Sequence, residues 1–292
     1  MKIKVKLSGC NLNCVYCPET NQGHGRNDIE KIKKFILGSY NNGLTELQWS
    51  GGEPTIHEEF LSLVRFSRDI GFYQSVSTNG TCTSEYLIKL KAAGISRVNI
   101  SLDTLDPHKF KEITGKPLFD TVLNNIKVSS VLFDEVTKIN IVVTDVNIDE
   151  VFDIYNYFKQ DKKIITRFLQ LTYKGEDQYT DNHRMKVDEV EEILPVHHSE
   201  EIILCNRIYT NPVARYFKKR ENVYSIIPQN HNCDGKHCNK LWYISGGIFI
   251  CKMVPDHAIV DDDIELTIKK LIAQKCVIKT NPNGHRVANF NG

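Results

Sequence analysis

The sequence predicts an α/β chain whose first part is a partial (β/α)6 barrel, and three observations carry that reading. Short β-branched or alternating segments recur six times up to residue 171, each followed by apolar residues at helical spacing or by a turn. Strands that alternate with helices are joined by right-handed crossovers and lie parallel. Four polar clusters fall directly after strands, the edge at which barrels of this kind carry their chemistry. The 292 residues allow one barrel-sized domain or two smaller ones. The alternation fades from about Thr172, so residues 1–171 are expected to form the barrel and 172–292 a C-terminal extension closing over its mouth.

Lys2 to Leu7 alternates basic and apolar residues, as a strand with one face on a core does, and leads to Cys10. Asn27 or Asp28 can cap a helix running to about Ser39, with Ile29, Ile32, Phe35 and Ile36 on one side. A strand from Leu44 to Trp49 ends in Ser50-Gly51-Gly52-Glu53-Pro54, and a helix from about His57 to Ile70 follows. Tyr73 to Ser77 is a strand ending in Thr78-Asn79-Gly80, and Ser84 opens a helix to about Ala93. Arg97 to Ile100 is a strand ending in Ser101-Leu102-Asp103, followed by helical segments at Lys109 to Ile113 and Phe119 to Val131. Thr137 to Val143 and Ile164 to Leu171 are the last two strands, separated by a helix from about Asp149 to Phe158.

Lys plus Arg (37) nearly balances Asp plus Glu (36), which gives no general support for binding nucleic acid. The run Lys218-Lys219-Arg220 reads as a solvated face, and His197-His198 as a surface pair. No segment approaches the length of a membrane span, and Met1 to Ser8 contains no apolar run of signal-peptide length. A cytoplasmic location is therefore expected, where nine cysteines, an odd number, serve as metal ligands or free thiols rather than disulfides.

The stretch Cys10-Asn11-Leu12-Asn13-Cys14-Val15-Tyr16-Cys17 brings three thiols into eight residues. Thiolates suit zinc or iron-sulfur iron, and three protein ligands on a four-iron cluster leave one iron open. By itself the spacing leaves a half zinc site or packed cysteines open. Gly51-Gly52-Glu53-Pro54 makes a tight turn, but a turn alone does not account for an acid between a glycine pair and a proline.

Taken together, CNLNCVYC, GGEP, TNG and SLD at successive strand ends resemble the radical S-adenosylmethionine (SAM) superfamily. The resemblance implies a 4Fe-4S cluster on Cys10, Cys14 and Cys17, whose fourth iron binds the amino and carboxylate groups of SAM. It implies that Tyr16 lies near the adenine and that Glu53, after Gly51 and Gly52, takes the methionyl ammonium. Thr78, Asn79, Ser101 and Asp103 are the remaining candidate cofactor contacts. The chemistry implied is reductive cleavage of SAM to a 5′-deoxyadenosyl radical that abstracts hydrogen from a substrate, driven by a donor such as flavodoxin or ferredoxin.

Within that superfamily the chain is similar to the GTP 3′,8-cyclases of molybdenum-cofactor biosynthesis. The similarity rests on Ser101-Leu102-Asp103-Thr104-Leu105-Asp106-Pro107 with Ile113-Thr114-Gly115, on Lys138 to Val143 with Asn147 and Glu150, and on Arg167 to Leu171. Cys233, Cys238 and Cys251 resemble the three cysteines of that family's second 4Fe-4S cluster, although their spacing alone does not exclude zinc and the Cys233 to Cys238 spacing is two residues longer. Cys205, His231 or His237 could add a ligand there. The tail resembles the family's C-terminus, which makes Arg286 and Gly292 candidate catalytic residues, with Asn291 in place of a glycine. Lys138 and Lys240 are candidate nucleotide contacts. Gly9, His57, Lys240 and Trp242 stand where the family has arginines, so the grip on a triphosphate is expected to differ. Competing readings are a peptide-modifying maturase or other enzyme with a non-nucleotide substrate, and a non-catalytic iron-sulfur sensor.

Overall fold

The structure is a computed structural model. It describes residues 2–17, 27–171, 187–195, 199–202, 215–219, 222–227, 240–244, 247–249, 263–273, 276–280 and 286–290. Six parallel strands, β1 (Lys2–Leu7), β2 (Glu46–Gly51), β3 (Tyr73–Thr78), β4 (Ile95–Ser101), β5 (Thr137–Val143) and β6 (Ile164–Gln170), lie side by side in chain order. Chain order without reversal means that right-handed crossovers carry every connecting helix to the same face, as in a barrel and unlike a doubly wound sheet.

Those helices are α1 (Ile29–Asn41), α2 (Phe60–Ile70), α3 (Ser84–Ala93), α4 (Pro107–Thr114), α5 (Phe119–Leu132) and α6 (Val151–Phe158). Their starts follow local chemistry. Asp28 accepts from the Lys31 N–H at 3.0 Å, Thr83 from Tyr86 at 3.3 Å, and Asp106 from His108 at 2.7 Å with Pro107 in the first turn. The helix expected from His57 starts at Phe60 instead, because Glu53 caps a short 3-10 turn at Pro54–Ile56 and His57 is extended. The helix expected from Asp149 likewise starts at Val151, behind a 3-10 turn at Ile148–Glu150.

The period of two along each strand divides the sheet into unlike faces. Ile3, Val5 and Leu7 of β1, Leu47 and Trp49 of β2, and Ile139 and Ile141 of β5 are buried in one core with Phe35, Phe60 and Val122 from the helices. Trp49 meets Phe60 edge-on at 5.5 Å, and its indole N–H donates to Gln74 at 2.8 Å. The opposite face carries Lys2, Lys4, Lys6, Gln48, Ser77 and Asn140, all half-buried, and forms the lumen.

The chain beyond residue 171 adds strands at both edges of this sheet. Beside β6 stand β9 (Asn222–Ile227), parallel to it, then β8 (Arg215–Lys219) and β7 (Glu200–Ile202). Beside β1 stand β10 (Lys240–Ile244), parallel, and β11 (Gly247–Phe249). Helices α7 (Val187–Ile193) and α8 (Ile264–Ala273) and a separate pair, β12 (Cys276–Thr280) and β13 (Arg286–Phe290), complete the described residues.

Gln74 passes the hydrogen bond of Trp49 onward, donating to the Val64 carbonyl at 2.8 Å inside the core. Trp49→Phe should therefore cost about 1–3 kcal/mol in urea unfolding, since it orphans the buried Gln74 oxygen and removes ring volume.

Candidate active site at the C-terminal edge of the barrel

The cysteine loop leaves β1 and lies across the end of β2. The Gly52 N–H donates to the Leu7 carbonyl at 2.9 Å and the Glu53 N–H to the Gly9 carbonyl at 2.7 Å. A side-chain carbon on Gly51 would stand 1.9 Å from the Leu7 oxygen, and one on Gly52 would stand 2.0 Å from the Gly9 oxygen. Gly51 also has φ +140°. Both glycines are thus dictated by the approach of the loop. Its far side is tied to the end of α4, where Asn13 and Val15 donate to the carbonyls of Thr114 and Ile113 at 2.9 and 3.0 Å.

Cys10, Cys14 and Cys17 are free thiols, each partly exposed. Burial pushes the Cys14 thiol up, and the charges of Asp103, Cys17 and Cys10 push it further, so the three sulfurs lie within electrostatic reach of one another. Among the described residues no group of three His, Cys, Asp or Glu is arranged to hold a single metal ion. A four-iron cluster takes one thiolate at each of three corners, so separate soft donors on one loop suit it, with iron displacing the thiol protons.

Glu53 is fully buried, and its carboxylate accepts from the Thr55 N–H and hydroxyl at 3.0 and 2.7 Å, the Thr78 hydroxyl at 2.7 Å and the Asn79 N–H at 2.5 Å. Burial pushes its pKa up while these donors pull it down. Asn79 continues inward, with its amide donating to the Asn11 side chain at 2.8 Å and to Cys10 Sγ at 3.8 Å.

Asp103 performs a similar task at the end of β4. One oxygen accepts from the Val142 N–H of β5 at 2.8 Å and the other from the Tyr16 hydroxyl, while Asn147 donates to its carbonyl at 2.7 Å. Burial pushes its carboxyl up to about 6 against the pull of Tyr16 and Val142. Ser101, half-buried, stands opposite Asn140 at the same edge.

Below that edge the lumen is cationic. Lys138 of β5 is buried and stands opposite Asn99 of β4 and Ile165 of β6. Burial, and then the charges of Arg167, Arg97 and Lys2, push the Lys138 pKa well down. Arg167 donates to Asn140 at 3.1 Å, and its Nε has no hydrogen-bond partner.

Residues 5–158 match the sequence model of the family described as Radical SAM superfamily. The chain belongs to the radical SAM superfamily. Membership makes it an enzyme with a 4Fe-4S cluster and SAM. It is 37% identical over 150 residues to a Pyrococcus abyssi protein named "Probable GTP 3′,8-cyclase", covering 51% of this chain and 49% of that one. It is 28% identical over 243 residues to the GTP 3′,8-cyclase of Mannheimia succiniciproducens, covering 80% and 71%. The chain thus spans about half the length of the first of these relatives. In fold it is similar to Streptococcus suis SuiB bound to S-adenosylmethionine, with TM-score 0.65 at 15% identity over 92% of this chain and 67% of that one.

The structure brings the radical SAM motifs Cys10, Cys14, Cys17, Tyr16, Gly51, Gly52, Glu53, Thr78, Asn79, Ser101 and Asp103 to one edge of the sheet. Lys138 stands deeper, in the lumen, and Lys240 lies in β10 opposite Lys2. Arg286 lies in β13 opposite Thr280, in the separate pair of strands. Gly292, Cys205, Cys233, Cys238 and Cys251 lie outside the described residues. Sequence reasoning missed Lys4, Lys6, Arg97, Gln48 and Asn99 as lumen residues. Their signal was present in the strand alternation, whose polar half faces the lumen rather than bulk solvent.

Because the two glycines touch the loop backbone, Gly52→Ala should lower the iron retained after anaerobic reconstitution severalfold while far-ultraviolet circular dichroism keeps its α/β form. Wild-type iron content in that variant would contradict the steric account.

Proposed function

We propose that this radical SAM enzyme acts on a nucleotide carrying several phosphates, GTP first among the candidates, in a cyclisation or carbon-carbon bond-forming rearrangement. The observation that carries the reading is the collection of Lys2, Lys4, Lys6, Arg97, Lys138 and Arg167 on the lumen side of β1, β4, β5 and β6, in a chain of formal net charge +1. Positive charge concentrated in one partly buried space recruits and holds a polyanion. These cations offer a grip on phosphates from positions other than Gly9, His57 and Trp242, where arginines are absent. The names of the relatives agree with the same substrate class.

When bound, the cluster and SAM supply a one-electron reductive cleavage that ends in removal of a hydrogen atom from a substrate carbon. The residues of this chain hold the reacting groups. Cys10, Cys14 and Cys17 ligate the cluster, the Gly51 to Glu53 turn and Asn79 shape the methionine side, and Tyr16 and Asp103 close the adenine side. Cys233, Cys238 and Cys251 hold a second 4Fe-4S cluster, and Arg286 and Gly292 reach the substrate from the C-terminal region. A flavodoxin- or ferredoxin-type donor supplies the electron, in the cytoplasm. Among the described residues no helix is long and apolar enough to cross a membrane.

The test is anaerobic reconstitution followed by dithionite, SAM and each nucleoside triphosphate in turn, with 5′-deoxyadenosine and new products followed by mass spectrometry. Stimulation by GTP with a product isobaric with GTP supports the reading, and slow cleavage indifferent to every nucleotide overturns the substrate. Replacing Cys233, Cys238 and Cys251 together by Ala should reduce bound iron from about eight to about four per chain if they hold a second four-iron cluster.

Lys138 supplies a pH-dependent check. Its folded pKa lies below its unfolded value of 10.5, so the unfolded chain holds more protons and the free protein gains stability as pH rises between the two values. Lys138→Met should remove that slope, raise the melting temperature of the free protein near neutral pH, and weaken GTP binding by about tenfold or more. Unchanged GTP affinity would remove Lys138 from the substrate site.

A further inference from the structure

Two N–H groups face the sulfur of Cys10. The Leu12 main-chain N–H donates to Cys10 Sγ at 3.4 Å, and the Asn79 amide donates to it at 3.8 Å. Which atom of that amide faces the sulfur is fixed by Thr81. The Thr81 main-chain N–H meets the Asn79 side chain at 3.0 Å, and because a main-chain N–H only donates, the atom it meets is the oxygen Oδ1. Nδ2 is thereby turned to the cysteine loop. A closed ring of three hydrogen bonds holds it there. Asn79 Nδ2 donates to Asn11 Oδ1 at 2.8 Å, Asn11 Nδ2 donates to Thr81 Oγ1 at 2.8 Å, and the Thr81 hydroxyl donates to Asn79 Oδ1 at 2.7 Å. All three donors point the same way round, so each bond polarises the next. The ring uses one hydrogen of the Asn79 amide and leaves the second for Cys10 Sγ.

We propose that the Asn79 side chain tunes the reduction potential of the cluster through Cys10, with Asn11 and Thr81 as positioning residues that lock its amide. The inference rests on the reading above that Cys10 ligates the cluster. Reduction moves one electron from the flavodoxin- or ferredoxin-type donor, which is oxidised by the same electron, onto the cluster. The added negative charge is shared by the ligand sulfurs, so an N–H facing one of them favours the reduced form and raises the potential. A locked amide is essential to this effect, because a flipped one would set Oδ1 against the thiolate and reverse its sign. The main chain of Asn79 has a separate task, since its N–H donates to Glu53 beside the Thr78 hydroxyl. Exchange of the side chain therefore leaves the hold on Glu53 in place.

The test is an anaerobic redox titration of the fully reconstituted protein followed by electron paramagnetic resonance, read at the signal that changes when SAM is added, with iron content measured beside it. Asn79→Leu, close to isosteric, removes the donor and is expected to move the midpoint to more negative potential, lowering the equilibrium constant for reduction about threefold to tenfold at unchanged iron content. For one electron, tenfold is about 59 mV. Asn79→Asp sets an anionic oxygen near the sulfur and is expected to move the midpoint further in the same direction. Thr81→Val keeps the main-chain N–H but opens the ring, and is expected to give a smaller shift of the same sign; it decides the question if Asn79→Leu does not retain iron. A merely structural role would lower iron content and leave the midpoint of the remaining clusters where it was. An unmoved or more positive midpoint in Asn79→Leu, or in Thr81→Val where the first variant loses iron, overturns this inference and leaves ligation by Cys10 standing. A Cys10→Ala variant that keeps the wild-type signal and its response to SAM overturns ligation by Cys10, and this inference with it.

Discussion

The edge of this barrel depends on one buried carboxylate. Glu53 gathers four donors from two neighbouring turns, so the ends of β2 and β3 are held by one side chain. Its main-chain N–H meanwhile holds the Gly9 carbonyl at the start of the cysteine loop. A carboxylate with no exposure is expensive to bury, and it is tolerated where several hydrogen bonds replace its water. The result is a rigid floor for the cysteine loop, fastened again at the end of α4. Precise placement of a reactive carbon needs such a floor.

The same strands serve two opposed demands. Their outer residues build an apolar core with the helices, and this core carries the stability of the barrel. Their inner residues are largely polar, with Lys2, Lys4, Lys6, Gln48 and Asn140 half-buried and Arg97, Asn99 and Lys138 buried. Lys138 shows what that division costs, since burial and three neighbouring cations all disfavour its charged form. A site poised in this way is less stable empty than filled with an anion, a trade that functional sites commonly make.

Much of the fold was legible because the signals were local. Strand β5 and helix α3 match the alternation and the Ser84 start residue for residue. The late starts of α2 and α6 were not legible, because each follows a 3-10 turn of only three residues, too short for a pattern to tell from helix. The cysteine, GGEP, TNG and SLD motifs were legible as chemistry, whereas their interlocking was not. The Tyr16 to Asp103 hydrogen bond spans 87 residues and the Asn79 to Cys10 contact 69, separations across which no local pattern reaches. The placement of β9 beside β6 and β10 beside β1 was equally hidden, since pairing of distant strands depends on the whole sheet.

Depth along the lumen orders what a substrate meets. Arg97 lies four residues below Ser101 on β4, which is about 13 Å at the rise of a strand. The cations are spread over that span, since Lys138 stands opposite Asn99 and Arg167 donates to Asn140, which stands opposite Ser101 at the edge. An anion drawn into the lumen therefore meets positive charge at every depth, so attraction alone does not set where it stops, and alignment at the edge falls to groups already fixed by hydrogen bonds, Asn79 and Asp103 among them.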